Sequence, residues 1–297
     1  MRIIAMIQAY NEQRFIAACI EHLHDQGVEV YLIDNESEDD TVAIAERYVG
    51  RGVAGIETLP REGVFALEAQ CARQEELAMT LEADWLMHHD ADEMRVSPKQ
   101  GQTLAEAVAE IDAAGYNAIN FLEFTFFPTR ESPDHDHAEF VKTMRHYYPL
   151  LPVAAHQVKA WKRQDVPVKL RPVGHRVEFP GLTLAPDSLY MRHYQFLSAE
   201  HARKKYVSRR FAASEIDSGF HGWRARIQPE QIVLPSEKDL RVYEGDHLLD
   251  PSDPLKDELL GGLVPVPSGR EAAPGPWRRL KRSARLRVRR LGLRGGS

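Results

Sequence analysis

The sequence predicts an α/β protein with a single Rossmann-like, mostly parallel sheet and flanking helices. Three observations predict it. Apolar runs of strand length alternate with amphipathic runs of helix length over residues 2–127, turn and cap signals separate them, and polar clusters follow three of the strand-like runs.

The elements follow in order. Residues 2–9 (RIIAMIQA) are a first strand. Over 12–26, Phe15, Ile16, Cys19, Ile20 and Leu23 share one face of a helix that Gly27 ends. VEVYLID (28–34) is a second strand, and Ser37 with Asp40 has the spacing of a capping box opening a helix to about Val49. VAGIETL (53–59) is a third strand, followed by a helix from Val64 to about Leu81. ADWLMHHD (83–90) is a fourth strand, a helix runs from about Pro98 to Ala114 with proline in its first turn, and 116–127 is a fifth strand. Beyond residue 128 the pattern loosens. FPTRESPDHDHAEF reads as a loop that could close as a lid, 168–179 as a hairpin around Gly174, and Ser198 as the cap of a basic helix.

In parallel sheets ligands sit beyond the carboxyl ends of the strands. Tyr10-Asn11-Glu12, Asp34-Asn35-Glu36 and Asp90-Ala91-Asp92-Glu93 lie just past strands one, two and four. Three polar clusters on one rim describe a site. Asp90 and Asp92, two apart at a strand end, are expected on one side, where paired carboxylates suit Mg²⁺ or Mn²⁺ shared with substrate phosphates. Taken alone, the same pair fits a solvated acidic turn. Asp34 fits a turn as well as a ribose contact, and Asn11 and Glu12 fit a helix cap as well as a pocket wall.

Composition narrows the class. The 297 residues are 43% hydrophobic and 28% charged, which excludes global disorder. No apolar run approaches the roughly 20 residues of a membrane span. The opening run before Asn11 is too short for a secretory signal, so a cytoplasmic location is expected, with Cys19 and Cys71 as reduced core residues. The net charge of −6 hides an asymmetry: Trp277–Ser297 holds eight arginines, one lysine and no acid, which leaves 1–276 at −15. An acidic body argues against nucleic acid. In the tail, Trp277, Leu280, Ala284, Val288 and Leu291 would line one helical face, which suits an anionic membrane surface on the inner face of a membrane as well as a solvated basic tail. The expected organisation is a catalytic domain over 1–234, with a nucleotide-binding half (1–95) and an acceptor-side half (96–234), a Pro/Gly-rich linker (235–276) and the basic tail (277–297).

Taken together, QAYNEQRFI, then VYLIDNESEDDT, then WLMHHDADE resemble the ordered motifs of the family-2 glycosyltransferases, which have the glycosyltransferase-A fold. The resemblance covers about the first 95 residues, and MRHYQFLSAEHARKKY is similar to a later segment of a subgroup with this fold. It implies a metal-dependent inverting enzyme that moves a sugar from a nucleoside-diphosphate sugar to a hydroxyl of a glycan or lipid-linked acceptor, in surface glycan synthesis. It also implies roles: Tyr10, Asn11, Glu12, Asp34 and Asp90 on the nucleotide sugar, and Asp90, Asp92 and His193 on Mn²⁺ or Mg²⁺. Lys204, Lys205 and Arg209 could neutralise phosphates. The family's Glu-Asp pair that supplies the catalytic base is not recognisable here. Glu123, on the fifth strand, is the first choice for that base, with the 128–139 loop as another source. Two other readings are a sugar-nucleotide nucleotidyltransferase, which normally needs a glycine-rich loop where this chain has QAYNEQR, and a non-catalytic nucleotide-sugar-binding protein of the same fold. A metallohydrolase on His88, His89, Asp90 and Asp92 is disfavoured, because adjacent strand histidines point to opposite faces.

Overall fold

The computed structural model describes residues 1–61, 63, 66–151, 155–171, 174–207 and 232–255. By internal contacts the chain divides into Met1–Val264 and Pro265–Ser297, and the second unit lies outside the described residues. So do the expected tail helix, the 256–276 part of the expected linker, and Arg209.

Strand β1 (Ile3–Ala9), helix α1 (Ile16–Asp25), β2 (Glu29–Asp34), α2 (Thr41–Glu46), β3 (Val53–Thr58), α3 (Leu67–Thr80) and β4 (Trp85–Asp90) alternate as the apolar periodicity predicts. They form a parallel group in the order β4-β1-β2-β3. Register places Ala9 opposite Asp34 and Gln8 opposite Asp90, so the three strand ends and their polar clusters share one level.

The rest of the sheet is mixed. β5 (Glu93–Val96), α4 (Leu104–Ala113), β6 (Ala118–Phe126), α5 (Phe140–Thr143), β7 (His146–Pro149), β8 (Val158–Lys162), β9 (Lys169–Arg171), β10 (Arg176–Glu178), β11 (Leu189–His193), α6 (Ala199–Val207) and β12 (Arg241–Val242) complete the described elements. β8 runs antiparallel to β4 and to β6, and β6 antiparallel to β7. β11 is parallel to β6 and antiparallel to β5. The expected hairpin around Gly174 is the antiparallel β9–β10 pair, and β10 adds to β8 in parallel.

Three local expectations shift. Helix α1 starts at Ile16, because the Glu12 carbonyl accepts from the Phe15 and Ile16 N–H groups and forms a turn first. Ser37 does not cap α2: its hydroxyl accepts from the Asn11 N–H at 3.0 Å, and Asp39 takes the Thr41 N–H instead. Helix α4 starts six residues after Pro98, at a full capping box between Thr103 and Glu106. Residues 236–255 also hold more structure than their proline and glycine content predicts. β12 pairs with β7, and Tyr243 packs against the main core.

That core lies between the sheet and helices α1 and α4, and includes Phe15, Trp85, Phe121, Phe124, Phe126 and Tyr147. A second cluster on the opposite face joins Trp161, Leu170 and Val177 to Leu77 of α3. Each fully buried large side chain stabilises the fold by about 1.5–3 kcal/mol. Cys19 and Cys71 are buried and free.

Candidate active site

Beyond the ends of β1, β2 and β3 a cavity of about 590 Å³ opens, lined by Tyr10, Asn11, Glu12, Arg14, Glu36, Glu38, Arg61, Gly63, His201, Lys204 and Lys205. Two loops form its wall and are laced together. Besides the Asn11–Ser37 bond, the Glu38 N–H donates to Asn11 Oδ1 at 2.8 Å and the Glu12 N–H to Thr41 Oγ1 at 2.8 Å. Both loops contain a non-glycine residue in the left-handed region, Asn11 (φ 57°) and Glu36 (φ 58°). Such backbone strain is held where surrounding structure over-determines it. The Arg61 guanidinium sits 3.3 Å from the centre of the Tyr10 ring. Arg14, Arg61, Lys204 and Lys205 line the cavity beside Glu12, Glu36 and Glu38, so cations outnumber carboxylates four to three in an otherwise acidic body.

Asp34 is buried and lies below this recess. Its carboxylate accepts from the Ser37 N–H at 3.1 Å, and among the described residues it does not line the cavity. Tyr10, Asn11 and Glu12 do line it.

Asp90 and Asp92 take different partners. β4 ends at Asp90, so the strand's period of two does not carry to Asp92. Asp90 Oδ2 lies 3.0 Å from Lys159 Nζ, while Asp92 Oδ2 accepts from Lys205 Nζ at 2.7 Å. Burial pushes the Asp90 carboxyl up, and the Lys159 ammonium outweighs it, leaving it lowered to about 2. Burial likewise opposes ionisation of Asp92, and Lys205 and His193 overcome it and hold it below the usual range.

Lys159 belongs to a buried ionic cluster that the sequence did not disclose. Its ammonium also meets Glu93, whose other oxygen accepts from Arg95 at 2.6 Å, and Arg95 donates as well to the His88 carbonyl. The Lys159 and Glu93 side chains are 2% and 1% exposed. Glu93 reads as part of a solvated rim cluster, yet it points inward from β5.

A second group forms where β6, β8, β10 and β11 meet. His193 Nδ1 lies 2.6 Å from Glu123 Oε1, and His193 Nε2 faces Asp92 Oδ1 at 3.5 Å. Gln157 Nε2 donates to Glu123 Oε2 at 2.9 Å, and Gln157 Oε1 lies 3.0 Å from His175 Nδ1. Thr125 Oγ1 donates to Glu123 Oε1 at 3.3 Å. Burial lowers the His193 pKa, and Asp92 and Glu123 more than reverse this and raise it well above its ordinary value. The structure thus brings Asp92, His193 and Glu123 together. The Glu123 side chain, expected from sequence as the base, is 5% exposed, and its two oxygens face His193 Nδ1 and the Gln157 amide.

Among the described residues, no group of three or more His, Cys, Asp or Glu side chains is placed to hold a metal. Asp90, one of the three expected ligands, is committed to Lys159. The remaining pair fits a narrower arrangement. Asp92 Oδ1 and His193 Nε2 converge, and Glu123 orients the far ring nitrogen as carboxylates do behind metal-bound imidazoles. A Mg²⁺ or Mn²⁺ ion held by one or two protein donors takes its other ligands from phosphate and water.

An α/β domain with a cation-lined recess and paired acidic and imidazole groups at its strand ends is an enzyme domain of the ligand-at-the-rim class. Residues 5–116 match the family described as Glycosyl transferase family 2. None of the curated proteins matches the chain. Among solved structures it is similar to S. aureus TarS 1-349 in complex with UDP-GlcNAc (16% identity, 70% of this chain and 62% of that one, TM-score 0.42). It is also similar to glucosyl-3-phosphoglycerate synthase from Mycobacterium tuberculosis in complex with Mn2+, UDP and phosphoglyceric acid (19% identity, 41% and 43%, TM-score 0.29). The chain thus spans less than two thirds of either neighbour.

Proposed function

We propose that this protein is a glycosyltransferase that takes a nucleoside-diphosphate sugar as donor and transfers the sugar, with inversion, to a hydroxyl acceptor of a surface glycan or its lipid-linked precursor. The observation that carries the reading is the recess lined by Arg14, Arg61, Lys204 and Lys205 directly beside Asp92 and His193. A diphosphate carries the complementary charge, and the walls supply hydrogen-bonding groups for ribose and base.

The residues divide the work. Lys204 and Lys205 on α6 and Arg61 on the facing loop receive the diphosphate oxygens. As the anion enters, Lys205 can exchange its contact with Asp92 for one with phosphate, which frees Asp92. Asp92 and His193 would hold Mn²⁺ or Mg²⁺, which when bound offsets charge on the departing diphosphate. Glu123 keeps the His193 ring turned with Nε2 outward. Lys159 keeps Asp90 ionised at the mouth of β4, where it can accept from sugar hydroxyls. Aligning the two substrates supplies much of the rate.

Calorimetric titration with UDP, GDP, dTDP and CMP tests the reading. One of the four should bind, more tightly with Mn²⁺ than with EDTA, and Asp92→Asn should abolish the Mn²⁺ difference. Binding of none would overturn the donor assignment. Binding indifferent to Mn²⁺ would overturn the metal role.

A further inference from the structure

The hydrogen bonds around Gln157 fix the proton on a histidine that the donor site does not use. Glu123, as a carboxylate, only accepts, so Gln157 must turn its NH2 toward Glu123 Oε2, 2.9 Å away. The Gln157 carbonyl oxygen then faces His175 Nδ1 at 3.0 Å, and because that oxygen only accepts, His175 must carry its proton on Nδ1. His175 Nε2 is left with a free lone pair. Among the described residues no hydrogen bond to this nitrogen is formed, and the ring is half-buried and stacked on His156, with centroids 5.3 Å apart.

The fold brings His175 beside the carboxyl end of β4. His175 directly precedes β10, which runs parallel to the start of β8, and β8 lies antiparallel beside β4. Gly174 (φ +82°) lets the chain approach β4: a Cβ there would fall 2.5 Å from His88 Nε2. Lys159, His156, Asp90 and His88 are the ionisable groups that act on the ring. Burial first, then Lys159, lowers its pKa well below the ordinary value and keeps the imidazole neutral near pH 7. A neutral imidazole of fixed tautomer with its Nε2 lone pair unprotonated has the equipment of a general base.

Resting on the transferase reading above, we propose that His175 Nε2 is the base that activates the acceptor hydroxyl, with Gln157 and Glu123 as positioning residues. The acceptor oxygen forms a bond to the anomeric carbon as the bond from that carbon to the diphosphate oxygen breaks. The hydroxyl proton passes to His175 Nε2, and the bonding pair leaves on the diphosphate. The Nδ1 proton stays on His175, donated to the Gln157 carbonyl oxygen throughout. The chain Asp92–His193–Glu123–Gln157–His175 thereby links the group beside the leaving diphosphate to the group beside the nucleophile.

Two measurements on the full chain test this. The first is long-range proton–nitrogen NMR of ¹⁵N-histidine-labelled protein, with the His175 signals assigned by their loss in His175→Gln. The proposal expects Nδ1 protonated and Nε2 bare at pH 7, and a change in that pattern in Gln157→Ala; a proton on Nε2 overturns it. The second is hydrolysis of a UDP-, GDP-, dTDP- or CMP-sugar, with water as the acceptor hydroxyl. His175→Gln should lower nucleotide release by about 10²- to 10⁴-fold while calorimetric affinity for the nucleotide stays within about 2-fold. Wild-type release from the variant, or loss of nucleotide affinity with it, overturns the assignment. A wild-type protein that binds none of the nucleotides marks failure of the donor reading itself, and the base falls with it.

Discussion

The two sides of the active rim are built on opposite principles. On the β1–β2 side, two loops are joined by single bonds from backbone N–H groups to side chains of Asn11, Ser37, Asp39 and Thr41, and they enclose an open recess lined by cations. On the β4–β8 side, Glu93, Arg95 and Lys159 are buried and neutralise one another, with Asp90 at the edge. The first side can adjust around a charged ligand because each of its links is weak and near water. The second is rigid, because any displacement there exposes an uncompensated charge to a low-dielectric interior. The donor side is thus suited to binding and release, and the side beneath the reacting carbon to holding geometry.

The sharpest break of this contrast is Lys159→Met. It leaves the Glu93 carboxylate with Arg95 alone and strips Asp90 of its partner, and removal of one member of a buried ion pair costs about 3–5 kcal/mol. Arg14→Ala, which breaks the Arg14–Asp136 pair on the recess side, should cost less than about 1 kcal/mol, because both side chains are partly solvated. Urea denaturation of the two variants measures the difference. Equal losses would show that the two sides are not built differently.

A second test uses acid. Burial lowers the His88 pKa to about 4 and that of His89 to about 3, and it also lowers His22 and His201 to about 4, from an ordinary value of 6.5. The unfolded chain therefore binds more protons than the folded one below pH 6.5. Their contribution to stability is fully present above that pH and falls as the pH drops toward 4 and then 3. Asp90, lowered from 3.8 to about 2, extends the loss to still lower pH. The urea midpoint should fall steadily from pH 6.5 to 4, and it should also decline as the pH rises from 7 to 8, because the raised His193 contributes stability that is lost on that side. His88→Gln should reduce that slope. A flat midpoint through pH 4 would mean that these imidazoles are solvated.

The same contrast explains what could be read from sequence. The parallel half was legible because each βαβ unit encodes itself locally: Ile3 to Ala9, then the stripe from Ile16 to Leu23, then Glu29 to Asp34. The polar residues after each strand marked the recess, and Tyr10, Asn11 and Glu12 line it. The antiparallel half was less legible, because its chemistry is assembled across distant strands. The buried pairing of Glu93 with Arg95 shows only once Lys159, 66 residues away from Glu93, is placed between Asp90 and Glu93. Glu123, Gln157, His175 and His193 come from four separate segments, and no spacing announces that they touch. Helix α4 shows a missed signal of another kind, since Thr103 and Glu106 spell a capping box that marks its start better than Pro98 does.

The smallest expected effect separates two causes of order in the recess loops. Asn11 holds φ 57° and its side-chain oxygen accepts the Glu38 N–H at 2.8 Å. Asn11→Gly loses the hydrogen bond, about 1 kcal/mol, but glycine adopts the left-handed backbone without strain. Asn11→Ala loses the same bond and adds the cost of a Cβ in that region, about 1–2 kcal/mol more. Urea denaturation should therefore rank wild type above glycine and glycine above alanine. Nucleotide affinity should follow the same order if the loops must be preorganised to form the recess. If glycine and alanine are equally stable, the left-handed turn is not held in solution, and the recess side is looser than its lacing suggests. If glycine matches wild type, the Asn11–Glu38 link contributes nothing, and the loops are held by the links at Ser37, Asp39, Thr41 and Gln13.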